Sequence, residues 1–256
     1  ARTRAAAYLE YNRALIDALC DIVPAVKPQA AYYEYLGPRG MYVLQKTCKY
    51  AASKGMYVIL DAKRGDIGST AETYARAYLG DDAAYDVNSI TINGYLGSDG
   101  ILPFLDCAVI FDKTAFVLVK TSNPSSGELQ DLSVGDRTVY EAMGDLLEKL
   151  AADTVGEYGY SRLGAVVGAT YPEELAALRK RLPHTFFLVP GYGAQGGGAK
   201  DVAGAFDKNG RGAVINSSRA IIGAWTKTGG DGRDFAQAAR AEALRMRDDL
   251  RKELNL

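Results

Sequence analysis

The sequence predicts an α/β protein of the (β/α)8 TIM-barrel class, on three observations. Strand-like and helix-like segments alternate along the 256 residues, a pattern typical of a parallel sheet covered by helices. Most of the strand-like segments are continuously apolar, as expected when both faces of the sheet are buried. No linker or low-complexity stretch divides the chain. We therefore expect one barrel domain over residues 1–256.

The helices are predicted from apolar residues at helical spacing and from their end signals. Leu15 and Leu19 lie on the apolar side of the first helix. Residues 69–72 (STAE) and 170–173 (TYPE) resemble capping boxes, in which a hydroxyl and a glutamate satisfy the first free N–H groups of a helix. The predicted helices cover residues 5–20, 37–54, 69–79, 100–107 and 138–158, a segment opening at 170, a short one after 198, one after 217, and residues 235–254.

Seven strands are predicted, whereas a closed barrel of this class has eight. They cover residues 22–27, 58–63, 86–93, 115–120, 163–169, 185–189 and 212–216. The chain starts at Ala1 without a methionine, directly in a helical pattern. We therefore expect an N-terminally incomplete domain, with the first strand apparently missing from this chain.

Composition excludes several classes of function. Lys and Arg (30) nearly balance Asp and Glu (31), so no basic surface is predicted for nucleic acid or an anionic membrane. No apolar run approaches the roughly 20 residues that span a bilayer. The three cysteines lack metal or disulfide spacing, which predicts reduced thiols and a cytoplasmic location. The single histidine, His184, precedes a strand and is expected in a surface loop, which argues against histidine-based catalysis.

The strongest candidate site is the stretch VILDAKRGDIGSTAET, residues 58–73. On a strand, Asp61 and Lys63 would face the same side, and Asp66 follows in the next loop. Charges of alternating sign thus meet where a strand passes into a helix, which is where barrels bind ligands. A surface salt-bridge cluster is the alternative, but the strand is too apolar to be solvated on either face. Lys27 ends the preceding strand and should lie beside Asp61.

A second candidate site is the glycine-rich segment that begins at Gly191. It matches a dinucleotide fingerprint, yet it follows a late strand and contains extra glycines, so a phosphate loop explains it better. Ser218 and Arg219 open the next helix and would add a cation; barrels commonly bind phosphate at these two loops. A flexible surface loop with a surface arginine is the alternative. Ser122 and Asn123 could hydrogen-bond a heterocycle, or form an ordinary turn.

Residues 61–70 (DAKRGDIGST) resemble the D-x-K-x-x-D-I-x-x-T signature of the orotidine 5′-phosphate decarboxylase family. Four more segments resemble that family in the same order: VKPQ at 26–29, TSNP at 121–124, PGYGAQ at 190–195 and NSSR at 216–219. The similarity is greatest to the type 2 bacterial branch and runs from about Tyr11 to the C-terminus. Asn93-Gly94-Tyr95 departs from the Asn-Pro-Tyr frequent in that branch.

The resemblance implies decarboxylation of orotidine 5′-monophosphate to uridine 5′-monophosphate (UMP) and CO₂ in pyrimidine biosynthesis, by a lyase without metal or organic cofactor. Lys63 would protonate the ring carbanion, Asp61 would lie beside the substrate carboxylate, and Lys27 would hold Asp61. Asp66 and Thr70 would reach the partner's site across a homodimer interface. The implied substrate-binding residues are Thr70, Ser122, Asn123, Pro190, Gln195, Ser218 and Arg219.

Three other functions stay open at this point. One is a metal-dependent sugar-phosphate decarboxylase or synthase on the same scaffold; Ser122 and Gln195 favour a pyrimidine instead. Another is a non-catalytic nucleotide-phosphate binder, against which the intact acid–lysine–acid pattern argues. A third is a Schiff-base aldolase using Lys63, although flanking carboxylates would keep that amine protonated.

Overall fold

The computed structural model describes residues 3–193 and 197–256. One curled parallel sheet forms the centre of the fold. The described strands are Ala25–Val26 (β1), Tyr57–Arg64 (β2), Ser89–Ile92 (β3), Thr114–Lys120 (β4), Ser133–Val134 (β5), Arg137–Thr138 (β6), Leu163–Val167 (β7), Phe186–Pro190 (β8) and Ala213–Asn216 (β9). Seven of them pair in parallel in the order β1-β2-β3-β4-β7-β8-β9, while β5 and β6 form a small antiparallel hairpin. The predicted barrel-type fold, with seven strands in the parallel sheet, is confirmed, whereas no strand was predicted for the β5–β6 hairpin. Among the described residues no pairing joins β1 to β9.

Helices alternate with these strands and cover the outside of the sheet. They are Arg4–Leu19 (α1), Ala30–Glu34 (α2), Gly37–Ser53 (α3), Gly68–Leu79 (α4), Ser98–Ile110 (α5), Val139–Leu150 (α6), Pro172–Arg181 (α7), Ala199–Val202 (α8), Ser218–Ile222 (α9) and Phe235–Glu253 (α10). The short α2 was not predicted. The helix predicted over 138–158 ends at Leu150; a short 3-10 turn over Ala152–Thr154 and an extended Val155 follow.

The two predicted capping boxes, over residues 69–72 and 170–173, are wrong. α4 begins after Ile67 and α7 after Tyr171, and neither residue makes a side-chain cap hydrogen bond. Ser69 therefore lies two positions after the N-cap of α4 and Thr170 one position before that of α7, so neither hydroxyl occupies the N-cap position of its helix. A complete capping box instead opens α6, over residues 138–141.

Side chains that alternate between the two faces of the sheet divide the core into two parts. An inner layer of apolar side chains fills the concave side of the sheet, with Ile59, Phe116, Val166 and Leu188. Neighbouring side chains on the same strands, such as Val58 and Leu60, join the larger core under the helices. Burial on both faces explains why the strand sequences are continuously apolar. The carboxyl ends of the parallel strands all lie at one edge, which we call the mouth.

Residues outside the mouth agree with their predicted structural roles. Cys48 and Cys107 are buried, Cys20 is half-buried, and all three are free thiols. His184 lies in an exposed turn before β8, at the opposite edge from the mouth. In the described ranges no helix combines the length and the apolar character needed to cross a membrane.

Candidate active site

Two lysines hold one buried carboxylate at the mouth. Lys27 Nζ lies 2.5 Å from Asp61 Oδ2, and Lys63 Nζ lies 2.5 Å from Asp61 Oδ1. The Asp61 side chain is 9% exposed and that of Lys27 12%, whereas the Lys63 side chain is 46% exposed. The cluster therefore presents one accessible ammonium group, held by a carboxylate that is almost removed from water.

Thr91 on β3 completes the support of this cluster and was not predicted from the sequence. Its hydroxyl donates to Asp61 Oδ1 at 3.0 Å and accepts from the backbone N–H groups of Ala62 and Lys63, each at 3.0 Å. Burial disfavours the ionised form of Asp61, but Lys27 and then Lys63 outweigh it, so the pKa of Asp61 lies below its ordinary value. The carboxylate is thus charged at neutral pH.

Lys63 reaches Asp61 by a backbone feature rather than by simple strand alternation. The register between β2 and β3 shifts between Leu60 and Arg64, and Lys63 has φ +50°. A residue other than glycine with positive φ is uncommon and carries a conformational cost. Such residues are often found at functional sites. The bulge therefore aims the lysine into the mouth at the point where the strand ends.

Asp66 and Thr70 do not contact the Lys27–Asp61–Lys63 cluster of their own chain in any described hydrogen bond or ion pair. Asp66 Oδ1 accepts the N–H of Ile67 at 2.8 Å, and Thr70 is exposed on α4. Within residues 3–193 and 197–256, no ion pair joins Asp66 to Lys63. In the same ranges no group of three or more His, Cys, Asp or Glu side chains is arranged to hold a metal ion.

The second candidate site forms a cleft of about 160 Å³ between the ends of β4, β8 and β9. It brings together Ser122, Pro190, Ser218 and Arg219, four residues singled out in the sequence. Arg219 is exposed at the cleft, so its guanidinium is available to an anion. α9 has only five residues, so its dipole adds little. Asn123 is exposed, and its Oδ1 accepts from the Thr121 hydroxyl at 2.7 Å.

The glycine-rich loop after β8 is anchored through Tyr192, a residue that sequence reasoning passed over. The Tyr192 hydroxyl donates to Asp249 Oδ2 on α10 at 2.7 Å, and its carbonyl accepts from Ser217 Oγ at 3.0 Å. Gly193 takes φ +81° and donates its N–H to the Gly197 carbonyl at 2.7 Å. Both stems of the loop are therefore fixed. Residues 194–196, including the predicted ligand-binding Gln195, lie outside the described residues.

A larger cavity of about 790 Å³ lies away from the mouth, between α4 and α5. Its lining includes Ile67, Gly68, Leu102 and Ile110. The paired lysines, the buried acid and the cleft that contains Arg219 all lie elsewhere, at the strand ends. We therefore assign the chemistry to the mouth and treat the larger cavity as part of an outer surface.

Comparison with known proteins agrees with this geometry. The family profile described as orotidine 5′-phosphate decarboxylase / HUMPS matches residues 7–228. The orotidine 5′-phosphate decarboxylase of Rhodopirellula baltica is 46% identical, over 96% of this chain and 84% of that protein. That of Clostridium perfringens strain SM101 is 43% identical, over 95% and 84% respectively.

A solved structure shows the same architecture. The OMP decarboxylase of Leishmania donovani superposes with a TM-score of 0.75 at 35% identity, and the match covers 96% of this chain and 90% of that one. The similarity thus spans the described sheet, both candidate sites and the helices around them.

Proposed function

The chain belongs to the orotidine 5′-phosphate decarboxylase family, and from this premise we infer that it is a lyase that converts orotidine 5′-monophosphate to UMP and CO₂. The observation that carries this inference is the pairing of Lys27 and Lys63 with the buried Asp61 at the mouth. The free thiols of its cysteines support the cytoplasm as its compartment.

We propose that Lys63 is both the electrostatic stabiliser and the proton donor. Breaking the bond between the ring carbon and the carboxylate releases CO₂ and leaves the electron pair on the ring. An ammonium group beside that carbon stabilises the pair and then transfers a proton to it, forming the new C–H bond. Solvent restores the proton to the amine. An ammonium has three N–H groups, and Asp61 takes one, which leaves donors for the substrate.

Asp61 and Lys27 have different proposed tasks around that lysine. The substrate carboxylate would enter beside the charged Asp61, and its loss as neutral CO₂ would relieve the repulsion between the two. Lys27 balances the buried acid and holds it in position, so that Asp61 stays ionised without neutralising Lys63 fully. From the family resemblance, Lys27 is also proposed to contact the ribose.

Phosphate binding is assigned to the cleft that contains Ser218 and Arg219, with Pro190 at its wall. Ser122, in the same cleft, is proposed to hydrogen-bond the pyrimidine, together with Asn123. Gln195 is proposed as a further phosphate ligand from the family resemblance. Binding energy from the phosphate, remote from the reacting carbon, can then be used to orient the ring against Lys63.

The direct test follows the absorbance of orotidine 5′-monophosphate with purified protein in the presence of excess chelator. We expect full turnover, because the proposed chemistry uses only side chains. A metal-dependent sugar-phosphate enzyme would lose activity on chelation and would leave the nucleotide unchanged, and a mere nucleotide binder would leave it unchanged under all conditions. Either result would overturn the proposal.

Replacing Arg219 tests the phosphate site. Arg219→Ala should weaken UMP binding by about 10- to 100-fold, since one charge-assisted contact contributes roughly 1.5 to 3 kcal/mol. Uridine affinity should change little, because the nucleoside lacks the phosphate. Titration calorimetry with both ligands checks this, with the exposed Arg251→Ala as the control for lost charge. Equal losses for UMP and uridine would contradict phosphate contact.

We propose that the enzyme is a homodimer whose sites are shared across the interface. Asp66 is half-buried and Thr70 exposed, at the start of α4, and exposed apolar side chains flank α4 and the adjacent α5: Ile67 is 53% exposed, Tyr95 76% and Leu96 48%. Exposed apolar side chains on adjacent elements favour a protein partner. The cavity between α4 and α5, which Ile67 helps to line, extends the same surface. Asp66 and Thr70 would thereby enter the partner's mouth.

Subunit mixing tests the shared site. Lys63→Ala and Asp66→Ala proteins should each be inactive alone, whereas an equimolar mixture should recover about a quarter of wild-type activity, because half of the dimers are mixed and each has one intact site. Steady-state assays after exchange measure this, and subunit exchange is verified with differently tagged chains. Absence of recovery in an exchanged mixture would mean that each site is built within one chain.

A further inference from the structure

Lys120, the last residue of β4, is a fully buried cation that does not belong to the cluster of Lys27, Asp61 and Lys63. The residue is 1% exposed, although it precedes Ser122 by only two positions at the mouth. A lysine is almost never this buried unless its charge is paired. Its position therefore requires an explanation that the decarboxylation chemistry does not supply.

The charged partners of Lys120 come from two different segments of the chain. Its ammonium pairs with Asp131 from the segment after β4 and lies 3.4 Å from Glu174 Oε2 on α7. It also lies 4.9 Å from the ring centroid of Tyr140 and 5.2 Å from that of Tyr171. Burial alone would lower the pKa of Lys120, but the two carboxylates raise it overall, so the cation stays charged.

The first of these segments is the loop that carries Ser122. We call residues 121–136 the β4 loop. Its far end folds back onto its start, because the Gln130 side chain donates to Thr121 Oγ1 at 2.7 Å and accepts the Thr121 N–H at 2.9 Å. Asp131, the next residue, then reaches Lys120. The loop is thus closed on the strand end by two adjacent side chains.

The segment after β7 holds the same point from the other side. The Gly168 N–H donates to the Lys120 carbonyl at 2.8 Å, and a Cβ on Gly168 would lie 2.8 Å from Ser122 Cβ. Ser122 therefore lies between the returning β4 loop and the segment after β7. Lys120 is charge-paired to the β4 loop through Asp131 and to α7, which follows that segment, through Glu174.

We propose that Lys120 is a positioning residue that, through Asp131, fixes the β4 loop so that Ser122 faces the pyrimidine of the ligand. The inference rests on the proposed function for the role of Ser122. Lys120 is too buried to touch the substrate itself, so it acts through the loop. Glu174 ties the same cation to α7 and gives the loop a rigid base.

The test removes the loop's half of the ion pair and leaves the buried lysine paired with Glu174. Asp131→Asn should reduce the fraction of molecules that hold the β4 loop in the binding-competent position. Because apparent affinity falls in proportion to that fraction, we expect UMP to bind about tenfold more weakly. Ribose 5-phosphate, which lacks the pyrimidine, should bind unchanged. Amide hydrogen exchange within residues 121–136 should increase. Asp136→Asn is the matched control, because it removes the same charge from an exposed turn of the same loop.

Two results would overturn the proposal: equal behaviour of Asp131→Asn and Asp136→Asn, or equal loss of affinity for UMP and ribose 5-phosphate. The second would indicate a general structural role. Failure of the wild-type protein to decarboxylate orotidine 5′-monophosphate would refute the proposed function instead. The exchange measurement still decides whether Asp131 holds the loop, since it requires no turnover.

Discussion

Lys63→Ala is expected to reduce kcat for orotidine 5′-monophosphate by about 10⁴-fold or more while UMP still binds. In the proposed mechanism the lysine supplies both electrostatic stabilisation and the proton, and the loss of either alone costs roughly 10² to 10³-fold or more. UMP already carries the ring C–H bond, so its binding relies mainly on the phosphate and pyrimidine contacts. The variant should fold, because the Lys63 side chain is half exposed.

Single-turnover kinetics measures the chemical step of Lys63→Ala directly, and calorimetry measures UMP affinity in the same preparation. Lys49→Ala, at an exposed lysine on α3, is the matched control for removing one cation. Turnover near the wild-type rate in Lys63→Ala would remove the lysine from the mechanism. Parallel loss of UMP binding would indicate a collapsed site rather than lost chemistry.

Asp61→Asn is expected to reduce both activity and stability. Without the carboxylate, Lys27 becomes a buried cation without its counter-charge, and leaving such a charge costs about 3 kcal/mol or more of unfolding free energy. Decarboxylation should fall by about 10²-fold or more, since Lys63 loses the group that holds it. Asp112→Asn, which removes the exposed partner of Arg162, should cost at most about 1 kcal/mol.

The stability difference between wild type and Asp61→Asn should depend on pH with a definite sign. The folded-state pKa of Asp61 is lowered, so its ionised form stabilises the native state above the unfolded pKa of about 3.9. That contribution is lost as the pH falls through the folded-state pKa. Denaturation at about pH 7 and in the acid range should show the difference shrinking on acidification. A difference that grows instead would contradict the lowered pKa.

Much of the fold was predictable because buried parallel strands have a strong local signature. The predicted strand ends at 63, 93, 189 and 216 agree within one residue with those of β2, β3, β8 and β9. Helix starts were less predictable, as the two wrong capping boxes show, because the geometry of the preceding loop decides which residue becomes the N-cap. The short α2 carries too few residues for a periodic pattern.

The candidate site was only partly predictable. Asp61 and Lys63 lie in the last part of β2 and Lys27 directly follows β1, and the convergence of parallel strands at one edge predicts their proximity. Thr91 gave no local signal, since a threonine inside an apolar strand resembles any β-branched core residue. Lys120 and Asp131 are eleven residues apart and meet only because the β4 loop returns to its strand.

By itself, the sequence determined the order of strands and helices, the charged strand ends and the family, because each of these is written in short contiguous patterns. Only the tertiary structure decided that Lys63 leaves the strand path at φ +50°, that Thr91 donates a hydrogen bond to the buried acid, and that Tyr192 ties the glycine-rich loop to α10. Those features depend on contacts between residues far apart in the chain. Their distances and burial exist only once the sheet has curled.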